Sequence, residues 1–132
     1  MVEGTMTAIF NSDGKMLIAK RSPNKKIAPN RWNLIGGRIE PNEKPEYAAI
    51  REVFEETQIK LSPDDLSLFA ENIQHWDRKH KFFCYTYIAH SNNTPQLNQE
   101  HSEFKFVSLN EALDANIVGY TKEEIELLFL SN

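Results

Sequence analysis

The chain has 132 residues, 40% of them hydrophobic and 26% charged, with fifteen Lys and Arg against nineteen Asp and Glu for a net charge of −4 at pH 7. That length reads as one domain, 1–132, able to bury a core of its own, which excludes a mainly disordered chain. The mild acidity argues against a general binder of duplex nucleic acid, and no segment approaches the roughly 20 apolar residues of a membrane span.

Cys84 is the only cysteine, so an internal disulfide and a four-cysteine zinc site are excluded; its neighbours Phe82, Phe83 and Tyr85 make it a buried strand residue. Met1–Thr5 lacks the basic and apolar regions of a signal peptide, so the expected setting is cytoplasmic, as a monomer or homodimer without a membrane partner.

In chain order, Thr5–Phe10 and Met16–Ala19 are apolar runs separated by the turn residues Asn11–Gly14, which predicts a β-hairpin. Arg21–Asn30 is a basic loop with two prolines, and Lys25 and Lys26 lie within it. Arg31–Ile35 reads as a short strand that Gly36-Gly37 breaks, with Arg38–Glu40 extended beyond it. A helix is predicted over Pro45–Thr57, where Pro45 suits the first position and Tyr47, Ile50, Val53 and Phe54 recur at helical spacing. Lys44 is a poor cap for it. Ser62–Asp65 is a turn, Leu66–Gln74 and Lys81–Ala89 are longer strands, and Ser91–Asn98 is a polar loop. Phe104–Val107 is a further strand, preceded by Glu100 and Glu103, and Leu109–Leu113 and Thr121–Leu130 read as helices, the latter with a Thr121/Glu124 capping box. Strands and helices mix without regular βαβ alternation, so an α+β or mixed-sheet domain is expected.

The chemistry concentrates in Gly37–Ile59, GRIEPNEKPEYAAIREVFEETQI. Glu52, Glu55 and Glu56 stand at i, i+3 and i+4 and share one helix face, where their like charges repel. Such a trio alone also describes a solvated face. As a ligand set it is all oxygen, which suits Mg²⁺ or Mn²⁺ rather than zinc. Gly36-Gly37 permits close backbone approach to such a site. None of His75, His80, His90 or His101 shows metal or triad spacing.

The whole string resembles the Nudix box, through Gly37, Glu43, Arg51, Glu52, Val53, Glu55, Glu56 and Ile59. It departs at Gln58, where the family usually has Gly; a left-handed helix end there would cost Gln about 1–2 kcal/mol. The flanking hairpin, Leu34–Gly37 and Glu103–Leu113 extend the likeness over most of the chain. The resemblance implies the Nudix α/β/α sandwich, a mixed β-sheet between helices, and hydrolysis of a nucleoside diphosphate linked to another group. It implies Glu52, Glu55 and Glu56 as Mg²⁺ or Mn²⁺ ligands, joined by the Gly37 carbonyl, with Arg51 orienting the carboxylates and Glu43 supporting the helix or a bound water. Glu56, Glu100 and Glu103 are the candidate general bases. Arg21 and Arg38 are candidate phosphate contacts.

Trp32-Asn33 ahead of Leu34-Ile35-Gly36-Gly37 looks like MutT-like members that cleanse nucleotide pools. Asn33 offers a donor and an acceptor to a purine edge, while Trp32 would stack or pack. Trp76, with His75 and Tyr85, is a candidate wall for the base. Gln74–Asp77 carries neither the Pro of ADP-ribose members nor the Tyr of diadenosine-polyphosphate members at that distance from the box. The expected partner is a small nucleotide, a (deoxy)nucleoside triphosphate ahead of a nucleotide sugar. A nucleotide-binding module without turnover is the reading from a different class.

Overall fold

The computed structural model describes all 132 residues. Its strands are β1 (Glu3–Phe10), β2 (Met16–Arg21), β3 (Trp32–Asn33), β4 (Ile35–Arg38), β5 (Ser67–His75), β6 (Lys81–His90) and β7 (His101–Val107). The helices are α1 (Pro45–Thr57), α2 (Leu109–Ala115) and α3 (Lys122–Ser131), with one 3₁₀ turn at Pro63–Asp65. None is long and apolar enough to cross a membrane.

All seven strands form one mixed sheet, ordered β3-β2-β1-β6-β5 with β4 added to β1 and β7 to β2. The one parallel pair is β1 with β6; every other pairing is antiparallel. The predicted hairpin is present but splayed. β1 and β2 are in register only at Phe10 and Met16, and the segment from Trp32 to Arg38 wedges between them.

Alternation along the strands divides the core into two layers. Met6, Ala8, Phe10, Met16 and Ile18 point to the face covered by α2 and α3, where Ala112, Ile125 and Leu128 meet them. Ile9, Leu17, Ala19 and Ile35 point the other way, against Val53 of α1 and Ile59. With both faces covered, Ala8–Phe10 of β1 and Met16–Ala19 of β2 read as continuous apolar runs rather than alternating ones. This is the expected mixed sheet between helices.

Two local expectations are corrected. Gly36-Gly37 does not break a strand: both glycines lie inside β4, paired with Met6 and Thr5, and the interruption falls at Leu34. The pair is there because β4 lies too close to β1 for side chains; a Cβ on Gly36 would stand 1.9 Å from the Thr5 carbonyl oxygen. The last strand begins at His101 rather than Phe104, so Glu103 lies within it, opposite Lys20. Those first residues are polar and lack an apolar signature.

Candidate active site

Helix α1 has no side-chain N-cap at Lys44 and starts on Pro45, as its sequence predicts. It ends at Gln58, whose φ of 64° is the left-handed conformation that Gly adopts freely, and the Gln58 N–H closes on the Phe54 carbonyl at 2.9 Å. Beside Gly37 the helix approaches the sheet so closely that a Cβ there would lie 2.5 Å from the Glu52 carboxyl carbon. Gly37 thus makes room for the Glu52 carboxylate.

Arg51 ties the box together. Its Nε and Nη2 donate to the two oxygens of Glu43 at 2.8 and 2.9 Å, and Nη2 also donates to the Arg38 carbonyl at 3.0 Å. Nη1 donates to Glu52 at 2.8 Å and Glu55 at 3.4 Å. One planar cation therefore spans the loop, the strand and two acids of the helix, which Lys could not do. The guanidinium holds the Glu43 carboxyl down at about 2.

Glu56 is a different kind of acid. It is buried, and burial followed by the adjacent Glu52 carboxylate pushes its proton affinity far above the usual carboxylate range. Its Oε1 lies 3.4 Å from Nδ1 of His101, a buried ring atom with no hydrogen-bond partner of good geometry. The other ring nitrogen, Nε2, pairs with Asn33 Oδ1 at 3.2 Å. Burial, with Arg21 and Lys25 nearby, pulls the His101 pKa down to about 4, so the imidazole is neutral at pH 7. Arg21 and Lys25 both feel the Glu56 charge, and Lys25 also feels Glu52.

The structure brings Glu43, Arg51, Glu52, Glu55 and Glu56 together around Gly37, with Arg21 and Lys25 on the approach. Glu100 is ion-paired with Lys25 beside this cluster. Glu103 is drawn off to Lys20 at 3.8 Å. Asn33 is buried and engaged with His101 rather than open to a ligand, and Trp32 packs on the helix α2/α3 layer with Lys105 over its ring. Trp76 stacks on Phe82 at 5.4 Å and carries the Arg21 guanidinium 4.6 Å above its ring. These rings, with Gly4, Met6, Gly37 and Arg38, line a cavity of about 150 Å³ next to the box, and it shares Arg38, Trp76 and Phe82 with an outer cavity of about 440 Å³.

His101 is the residue that sequence reasoning set aside. Its contact with Glu56 depends on the registers of β2 and β7, which no local pattern reveals.

The donor set fits a divalent cation. It is all carboxylate oxygen, flanks a glycine that leaves the carboxylates space, and includes a buried acid that a cation would ionise. In this conformer the acids do not converge on one point, because Glu52 and Glu55 lean on Arg51 and Glu56 on His101.

A family model for the NUDIX domain matches residues 2–128. The nucleoside triphosphatase NudI of Escherichia coli O1:K1 / APEC is 24% identical over 128 residues, covering 90% of this chain and 91% of that protein. The diphosphoinositol polyphosphate phosphohydrolase 3-beta of Bos taurus is 45% identical over 58 residues, which span 43% of this chain but only 34% of that relative. The match to the m7GpppN-mRNA hydrolase NUDT17 of Danio rerio, 35% identical, spans 48% of this chain and 21% of that protein. Among solved structures, the MutT protein from Methanosarcina mazei Go1 superposes with a TM-score of 0.85 at 25% identity, covering 99% of this chain and 94% of that one. With its box acids, its sandwich and a family match over almost its full length, the chain belongs to the Nudix family.

Proposed function

We propose that the chain is a divalent-metal-dependent pyrophosphohydrolase that cleaves a nucleoside diphosphate linked to another group. Its favoured substrate is a nucleoside triphosphate, cut to monophosphate and pyrophosphate. The observation that carries this reading is the meeting of two unlike surfaces at Gly37. On one side stand the acids of α1 with Lys25; on the other lies the aromatic cavity of Trp76 and Phe82, and Arg21, over the Trp76 ring and within the field of Glu56, stands between them. A phosphate chain needs the first and a nucleobase the second.

Glu52, Glu55 and Glu56, with the Gly37 carbonyl, would hold Mg²⁺ or Mn²⁺, which when bound offsets phosphate charge and acidifies a water molecule. Arg51 keeps Glu52 and Glu55 on one side of the helix, and Glu43 keeps Arg51 in place. Arg21 and Lys25 present cations to phosphate oxygens. When Lys25 turns to a phosphate it releases Glu100, which then accepts a proton from the attacking water. Glu103 is the poorer base, more than half exposed and paired with Lys20. Trp76 and Phe82 hold the base away from water, and Arg38 rims that cavity.

The triphosphate is favoured over a nucleotide sugar because a relative matched along nearly its whole length is named a nucleoside triphosphatase. The test is incubation with Mg²⁺ and a panel of ordinary and oxidised nucleoside triphosphates, ADP-ribose and sugar nucleotides, with product identification. Pyrophosphate and a monophosphate from a triphosphate support the reading. Turnover confined to a sugar nucleotide replaces its substrate, and no turnover with either Mg²⁺ or Mn²⁺ points to a substrate outside the panel or to a binding module.

A further inference from the structure

His101 and Asn33 sit on opposite neighbours of β2. Asn33 on β3 is in register with Ala19, and His101 on β7 with Arg21. Ala19 ends in a single methyl, so the two longer side chains can meet above it, on the face covered by α1. There they form a chain with the helix: Asn33 Oδ1 to His101 Nε2 at 3.2 Å, then His101 Nδ1 to Glu56 Oε1 at 3.4 Å. All three residues are buried, at 2%, 6% and 4% exposure, so bulk water does not substitute for either contact.

We infer that His101, held by Asn33, is a positioning residue that fixes the carboxyl group of Glu56 at the seam between α1 and β7. The inference rests on the reading of Glu56 as a metal ligand. A small shift that closes the 3.4 Å gap would let a lone pair at Nδ1 accept from a Glu56 hydroxyl while Nε2–H donates to Asn33 Oδ1. In the other neutral tautomer, Nδ1–H would donate to an ionised Glu56 and Nε2 would accept from the Asn33 amide. A half-turn of the Asn33 carboxamide, which carries both a donor and an acceptor, serves either case. Partners that orient a metal ligand from behind are worth roughly 10–100-fold in metal affinity.

The experiment is Mn²⁺ titration of the substrate-free full-length chain, followed by calorimetry or by the paramagnetic resonance of free Mn²⁺, with melting curves to confirm folding. Glu56→Gln serves as the reference for a lost ligand. His101→Leu is expected to weaken Mn²⁺ binding about 10–100-fold. His101→Asn, whose amide stands close to where Nδ1 stood, recovers most of that loss. Asn33→Leu weakens binding as well, and combining it with His101→Leu adds nothing further, because Asn33 acts only through the imidazole. Should His101→Leu fail to fold, Asn33→Leu and the Asn rescue carry the same test. A folded His101→Leu that binds Mn²⁺ like the wild type, while Glu56→Gln does not, overturns the inference and leaves the metal site standing. Wild type that binds no Mn²⁺, or Glu56→Gln that binds it unchanged, overturns the metal reading itself, and the inference goes with it.

Discussion

The Arg51 guanidinium holds both carboxylate oxygens of Glu43, eight residues earlier in the chain, at 2.8 and 2.9 Å. The Glu43 side chain also accepts the Glu40 backbone N–H at 3.0 Å, so the loop before α1 is fastened to the helix's own second turn. Lys44 provides no side-chain cap, so this tie, rather than a cap, links the loop to the helix.

Arg51→Lys should therefore cost about 2 kcal/mol, since a point charge cannot hold Glu43, Glu52 and the Arg38 carbonyl together. Urea unfolding at pH 7 measures it. A loss below a few tenths of a kcal/mol would mean that the fork is ornamental.

The same pair sets an acid dependence. Folding lowers the Glu43 pKa from 4.5 to about 2, chiefly through the Arg51 hydrogen bonds. Its stabilising contribution is whole above pH 4.5 and is lost as the pH falls through about 2. Glu43→Gln should be less stable than wild type at neutral pH, with the two curves converging toward pH 2. Parallel curves across that range would exclude the linkage.

Glu56 and His101 predict slopes opposite to each other. The folded state raises the proton affinity of Glu56, by burial and then by Glu52, so its contribution is present below the ordinary carboxylate range and is lost as pH rises. His101 is lowered from 6.5 to about 4, by burial and then by Arg21 and Lys25, so its contribution is present above pH 6.5 and is lost as pH falls toward 4. Between about pH 4.5 and 6.5 the two oppose each other. Above 6.5 only Glu56 remains, and metal-free protein should lose stability by at most about 1.4 kcal/mol per pH unit. In melts from pH 6.5 to 9 with chelator, Glu56→Gln should be flatter and more stable at pH 8, and Mg²⁺ should stabilise wild type most at the alkaline end. A wild type as flat as the variant would contradict the burial argument.

What was legible in the sequence is what local periodicity records. Helix α1, its acids at i, i+3 and i+4, its Pro45 start and the Thr121 capping box all appear where spacing puts them. What was hidden depends on which strand lies beside which. Asn33 looks like a free carboxamide in sequence but is committed to His101, because β3 and β7 flank β2. Gly36-Gly37 looks like a breaker because nothing local shows that Thr5 and Glu52 press on it from two sides. Glu103 looks like a loop acid because the first residues of β7 are polar and pair at an edge.

Gln58 is strained by its position rather than by its contacts. At φ 64° its side chain bears a cost that Gly avoids, and its N–H bond to Phe54 is a backbone bond that Gly keeps. Gln58→Gly should stabilise the fold by up to about 1 kcal/mol, with turnover unchanged. A neutral or destabilising change in the denaturation midpoint would show that the Gln58 side chain, which reaches the Phe54 carbonyl at 3.3 Å, compensates its own strain.

The two glycines of β4 should respond differently to the same methyl group. A Cβ on Gly36 meets backbone, with the Thr5 oxygen at 1.9 Å and the Met6 Cα at 2.9 Å. Neither can yield without parting β4 from β1, so Gly36→Ala should fold poorly or not at all. A Cβ on Gly37 meets the Glu52 carboxylate at 2.5–2.7 Å, the end of a flexible side chain. Gly37→Ala should therefore fold, losing about 1–3 kcal/mol, and push Glu52 off the place beside which Mg²⁺ would sit. The expected pattern is a near-wild-type circular dichroism spectrum with at least a tenfold rise in the Mg²⁺ concentration needed for half-maximal turnover, the usual scale for a displaced ligand partner. Equal melting temperatures for the two variants would show that the clash at Gly36 is relieved elsewhere in the sheet. An unchanged Mg²⁺ requirement in Gly37→Ala would remove Glu52 from the metal site.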